Sequence, residues 1–242
     1  MSSSVTYELA DSIATITLDD GKVNVLGPAM QSAINEALDR AEADVEAGIE
    51  ADKVKAVVLA GNSRVFSGGF DLTVFQSGDA SAALGMLSGG FELAVRVLTF
   101  PVPVVIAATG PAIAMGSFLL MAADHRVGGP KTRCQAIEVA IGMVIPDAAL
   151  ELMRLRLTPA AFDRAAGLAV TFAGDSAVAA GWLDEIVEAD RVLARAREVA
   201  TEAATTLNAG AHRATKLKAR RRSLEAIRAG IDSLAEEFAL GG

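Results

Sequence analysis

The chain of 242 residues is short of thiols and imidazoles. Its one cysteine, Cys134, excludes an internal disulfide and a thiol-rich metal site, and alone it reads as a small buried hydrophobe rather than a nucleophile. The two histidines, His125 and His212, lie far apart, and neither is expected to be a metal ligand or a triad member. No G-x-S-x-G occurs, so Ser67 and Ser117 read as small packing residues, not acyl-forming nucleophiles. A dinucleotide fingerprint and a phosphate loop are missing too. "GGPKT" (128–132) lacks the upstream glycine, and Pro130 removes an N–H that a phosphate would need. Basic charge is scarce: the formal net charge of −8 argues against a general nucleic-acid binder. The start, "MSSSVTYELAD", has no basic segment followed by an apolar stretch, so no signal peptide is expected and a cytoplasmic location is. One uncharged run, Val102 to Ala123, has the length of a bilayer span, but Pro103, Gly110 and Pro111 divide it into a strand-length and a helix-length piece. No membrane segment is therefore expected.

What is present is an apolar, globular chain, 52% hydrophobic and 21% charged, large enough for one domain with a real core. "VTYELA" and "IATITLDD" read as strands joined by a tight turn at Asp11 and Ser12. Pro28 is placed to begin a helix running to about Ala47. "VKAVVLAG" and "PVPVVIAATG" are continuous apolar runs, as strands covered on both faces require. Helices are expected over Ala80 to Thr99 and Ala112 to Ala122, an extended stretch over Arg126 to Val139, and helices almost throughout from Asp147. Strands alternating with helices, then helices alone, give an α/β chain with a helical C-terminal section.

Backbone donors and isolated carboxylates remain. The loop "NSRVFSGGFDL" follows the first covered strand and "PAIAMGSF" follows the second. If these strands are neighbours, both loops end at the carboxyl edge where α/β proteins bind ligands. Each offers backbone N–H groups, the second reinforced by a helix N-terminus near Met115. Glu138 stands among apolar neighbours in "CQAIEVAIGMVIP", where lost solvation raises a carboxylate's pKa towards neutrality. Such a set suits proton transfer by a base while N–H groups hold a developing oxyanion.

Over nearly its whole length the sequence resembles the crotonase, or enoyl-CoA hydratase/isomerase, superfamily. The resemblance rests on "ATITLDDGKVNVLGPAM", "KAVVLAGNSRVFSGGFDL", "PVPVVIAATGPAIAMGSFLLMAADHRV", "IEVAIGMVIP" and "DSAVAAGWLDEIVEAD". It implies a spiral of ββα units over residues 1–190 and a C-terminal helical region, 191–242, involved in oligomerisation as trimers or dimers of trimers. It also implies an acyl-CoA thioester substrate of fatty acid metabolism, coenzyme A as part of that substrate, and no permanently bound cofactor or metal. By resemblance the oxyanion donors fall on the N–H groups of Phe70 and Met115, with Glu138 as the acid–base residue. Lys22, Val23, Val25 and Leu26 on one loop, and Phe66, Gly68, Gly69 and Asp71 on another, would line the coenzyme A channel.

Two departures bear on the reaction. The first of the two hydratase glutamates falls on Phe118, and Ala114 and Met115 replace two glycines of the family's second loop. Hydration needs work shared by two carboxylates, whereas a double-bond shift from the 3- to the 2-position needs one proton removed at C2 and returned at C4. With the spacing of "IEVAIGMVIP" this favours an isomerase with Glu138 as its single base. Two other readings stay open. One is a hydratase or other crotonase chemistry, with Asp71, Asp147 or Glu151 as second carboxylate. The other is an acyl-CoA binder without chemistry. Asp71 otherwise reads as a loop turn, Asp147 as a helix cap, and Glu138 as a strand-edge salt bridge. Phe118 is expected to face the pocket. The basic run "HRATKLKARRR" (212–222) reads as a solvated helix face or, in a sharper reading, as a phosphate contact for coenzyme A through Lys216 or Lys218.

Overall fold

A computed structural model describes residues 4–46 and 53–240. Its main sheet has six strands in the order β1-β2-β3-β4-β6-β9. β1 (Val5–Ala10) and β2 (Ile13–Leu18) form an antiparallel hairpin through Asp11 and Ser12, both at positive φ. From β2 onwards the pairing is parallel, through β3 (Ala56–Ala60), β4 (Val104–Ala108), β6 (His125–Gly128) and β9 (Glu185–Ile186).

The two central strands show why their sequences are continuously apolar. Val57 and Leu59 of β3, with Val104, Ile106 and Ala108 of β4, face the larger core, which holds α1 (Pro28–Val45), α3 (Ala80–Thr99) and α4 (Met115–Ala122). The alternate residues Ala56, Val58, Ala60, Val105 and Ala107 face a smaller core. That side is closed by Val192, Ala196 and Ala200 of α8 (Val192–Thr206), one stripe at helical spacing. α3 is the one described helix long and apolar enough to cross a membrane, and it is packed inside the fold against α1 and α4. The run Val102 to Ala123 divides at its breakers into β4 and α4, but Ala112–Ile113, expected to begin the helix, forms the short strand β5, and α4 starts only at Met115.

A second, inner ladder sets the site. Val25 bridges Gly69, and Ser67 bridges Ala112. β5 pairs with β7 (Arg133–Gln135), and β7 pairs with β8 (Phe172–Ala173). Each long strand thus continues into a short extended piece that stacks on the next, and a helix follows: β4, β5, α4, then β6, β7 and α5 (Asp147–Arg156). This is the spiral of ββα units.

The C-terminal α9 (Ala209–Asp232) lies against α5 and α3. Here the expectation of a solvated basic face holds for Arg213, Lys218, Arg221 and Arg222, which are exposed, and is corrected for Lys216 and Arg220. Lys216 is buried, with Nζ donating to Asp124 Oδ2 at 2.6 Å and to the Phe100 carbonyl at 3.1 Å. Arg220 donates to Asp124 Oδ1 and to the Leu98 carbonyl, both at 2.8 Å. Spaced four apart, the two cations clamp α9 onto the start of β4 and β6. They belong neither to a solvated face nor, for Lys216, to a surface open to a phosphate; Lys218 remains exposed.

Candidate functional site

The inner ladder brings four separate loops to one end of the sheet. The Gly68 N–H donates to the Val23 carbonyl at 2.8 Å, and the Leu26 N–H to the Gly69 carbonyl at 2.7 Å. Asn24, wholly buried at φ 52, donates to the carbonyls of Leu18 and Phe66 at 3.0 and 3.1 Å. Asparagine tolerates this left-handed conformation, and its amide ties three segments together. Ser67 Oγ donates to the Asn24 carbonyl at 2.7 Å and accepts the Gly69 N–H at 3.2 Å, so its hydroxyl is structural. The next loop docks in the same way: the Ser67 N–H donates to Pro111 and the Ile113 N–H to Ser67, at 3.2 and 3.0 Å. Ser117 Oγ, also structural, donates to the Ala114 carbonyl at 2.7 Å.

These bonds leave the amides of Phe70 and Met115 over. Neither the Phe70 nor the Met115 N–H donates to any described residue. The Met115 group is one of the orphan donors of the first turn of α4, on the positive end of its dipole. The two loops touch at Gly69 (φ 92), where a Cβ would lie 2.8 Å from the Ile113 carbonyl oxygen, 2.9 Å from Ala114 Cβ and 3.5 Å from Met115 N. Only glycine fits at position 69.

A cavity of about 510 Å³ opens beside this junction. Phe70, Phe75, Phe91, Phe118 and Phe238 supply much of its wall, Phe91 lying 6.3 Å from both Phe70 and Phe118, ring centre to ring centre. Phe118 faces the pocket, as expected. Glu138 and Glu237 are the two ionisable side chains in the wall among the described residues. Glu138 is 7% exposed, its Oε2 is buried without a hydrogen-bond partner, and burial pushes its pKa up to about 7. An orphaned, desolvated carboxyl of this kind is poised to exchange a proton near neutrality.

The local structure around Glu138 differs from expectation. The extended stretch is broken into β6 and β7, and Glu138 opens a 3-10 turn, Glu138–Ile141, closed by the Met143 N–H on the Glu138 carbonyl at 2.9 Å. Gly142 at φ 81 ends the turn. Val139, the end of the expected extended stretch, and Ile141 beyond it are half exposed. Glu138 makes no salt bridge with any described residue, which removes the strand-edge ion pair.

Of the other sequence candidates, Gly68 lines the cavity. Lys22 and Val23 lie exposed at its loop, Val25 is half-buried, and Leu26 and Phe66 are sealed in the core, leaving them only their backbone to offer. Met115's side chain is buried too, so Ala114 forms the wall where Met115 offers its amide. Asp71 caps α2 (Leu72–Gln76), accepting from Thr73 N at 3.0 Å. Asp147 is the exposed first residue of α5, and Glu151 pairs with Arg154 at 3.3 Å. None of these three lines the cavity.

The acidic neighbour that the sequence reading missed is Glu237, on α10 (Leu234–Leu240). Its Oε2 accepts the Asp147 N–H at 3.0 Å and its Oε1 the Ser233 hydroxyl at 2.5 Å. It thus caps α5 from outside that helix, where Pro146 offers no side-chain cap. With Leu234 and Phe238 it closes the cavity. A short amphipathic helix with no local motif gave no signal for this.

Comparison with known proteins points one way. The family model for enoyl-CoA hydratase/isomerase matches residues 8–237. The chain is 58% identical to an enoyl-CoA hydratase, EchA3, of Mycobacterium ulcerans, with a TM-score of 0.92 over 97% of this chain and 99% of that one. It is 55% identical to a structure described as the Mtb enoyl-CoA isomerase, with a TM-score of 0.91 over 98% of this chain and 100% of that one. It is also 33% identical over 146 residues to the peroxisomal fatty acid β-oxidation multifunctional protein AIM1 of Arabidopsis thaliana; the match takes in 58% of this chain and spans 19% of that protein.

Proposed function

The chain belongs to the enoyl-CoA hydratase/isomerase family, and from that premise we propose that it shifts the double bond of a 3-enoyl-CoA to the 2-position. The observation that carries this reading is the single unpartnered carboxyl, Glu138, in the wall of an apolar cavity beside two unpartnered amides. In the ionised form Glu138 takes a proton from C2 of the bound thioester. The electron pair moves into the carbonyl, and the N–H groups of Phe70 and Met115 stabilise the enolate oxygen. The pair then returns through C2 and C3, and Glu138 delivers its proton to C4. Each amide contributes about 10²–10³ in rate and the base about 10²–10⁴. Phe118 keeps water from the acyl chain, and a single base working at C2 and C4 on one face needs no second carboxylate.

A second reading, hydration of a 2-enoyl-CoA, is favoured by Glu237, the other carboxylate in the wall. Both its oxygens accept hydrogen bonds, which supports the isomerase over it. Assay with 3-enoyl- and 2-enoyl-CoA decides. Isomerisation that falls about 10²-fold or more in Glu138→Gln supports the proposal. Hydration by the wild type that is lost in Glu237→Gln overturns it in favour of the second reading, and acyl-CoA binding with turnover of neither substrate leaves only a binder.

The proposal extends to a homo-oligomer, a trimer or a pair of trimers. Its support is the apolar rim of the cavity mouth, where Val144 is 75% and Ile141 50% exposed. Sedimentation that finds a monomer at assay concentrations removes this part.

A further inference from the structure

Ala114 occupies a backbone conformation that belongs to glycine. It precedes α4 with φ 48 and ψ −127, a region in which any side chain is strained. The fold contains its own control. Gly174 precedes α7 (Asp175–Ala180) at φ 54 and ψ −144, after the short β8 just as Ala114 follows the short β5. At one such corner the chain uses glycine, and at the other it keeps a methyl group. A Cβ on Gly174 would meet nothing within 4 Å, so glycine there answers to the backbone alone.

The methyl of Ala114 has a defined place. Ala114 lines the cavity, and its Cβ faces Gly69, whose own Cβ would come within 2.9 Å of it. Gly69 precedes Phe70 and Ala114 precedes Met115. The methyl therefore stands between the residues that present the two free amides, at the end of the cavity where a thioester carbonyl would sit.

We propose that the Ala114 methyl is a specificity-determining group that restricts the site to acyl chains unbranched at C2. This rests on the acyl-CoA reading of the site, since it takes the carbonyl to lie on the Phe70 and Met115 amides. C2 is bonded to that carbonyl carbon, and a methyl on C2 competes with Ala114 Cβ for the same space. One methyl of misfit in an apolar site discriminates roughly 10–200-fold.

The test compares butanoyl-CoA with 2-methylbutanoyl-CoA, saturated esters that bind without reacting, by calorimetry on wild type and Ala114→Gly. Wild type is expected to prefer the unbranched ester at least about tenfold, and Ala114→Gly to lose most of that preference while its Tm rises as the strain is relieved. Gly174→Ala serves as the control, lowering Tm and leaving the preference unchanged. An Ala114→Gly preference equal to that of wild type overturns the proposal even where both bind butanoyl-CoA well. Failure of both proteins to bind either ester overturns the acyl-CoA reading itself and this proposal with it.

Discussion

At the scale of the residue, Glu138 joins activity to stability. The folded chain holds its proton up to about 7, whereas the ordinary value is 4.5. A base must be ionised to accept a proton, so turnover is expected to rise as pH passes through about 7 and level off above, measured as the pH profile of kcat/KM. Stability runs the other way. Between 4.5 and about 7 the folded state binds the proton and the unfolded state does not, so this residue's contribution is complete below that window and falls as pH rises through it. The loss amounts to roughly 3 kcal/mol at most. Glu138→Gln cannot ionise, and it should gain on wild type in urea denaturation at pH 8 but not at pH 4. A variant that is inactive yet more stable at alkaline pH is the signature of a residue held for chemistry.

At the scale of the element, α9 is held by charge as much as by apolar contact. Asp124 takes Lys216 and Arg220 together, with the cations largely out of solvent. Removing the shared carboxylate leaves both cations buried and unpaired, so Asp124→Ala should cost about 3–5 kcal/mol by urea denaturation, and the exposed Lys218→Ala close to nothing. The run 212–222 shows how far a sequence speaks for its elements. That it is a helix was legible, and so was the i, i+4 spacing of Lys216 and Arg220. Which face turned inward was not, because Asp124 lies far off in the chain and no local pattern points to it. The same division holds elsewhere. β3, β4 and the whole of α3 follow from apolar run length and end signals. The bridges at Val25, Ser67 and Ala112 are too short for any periodicity to register, and the turn at Glu138 has strand-like residues overruled by its surroundings.

At the scale of the whole molecule, the site is a product of stacking. Its walls come from segments around residues 68, 91, 114, 138 and 237, none of which forms a pocket with its sequence neighbours. The glycine pair and Glu138 could be read locally because each breaks an apolar context. Leu234, Glu237 and Phe238 could not, since their role exists only once α10 lies against α3 and α9. A chain ending at Asp232 should keep the spiral but bind long acyl-CoA roughly tenfold to a hundredfold more weakly, and short acyl-CoA nearly as well, because Leu234 and Phe238 no longer cover the far end. Equal loss for both lengths by calorimetry would assign α10 to folding instead.

The alternation of β3 and β4 shapes how such a chain can diverge. Residues facing α8 are mostly alanine, and drift there is confined to side chains no larger than those present. The opposite face backs onto Phe91 and Phe118, where descendants can exchange bulk for room. Distant changes of this kind add nearly independently. New acyl specificities can therefore be carved on one side of the sheet while the other remains as inherited.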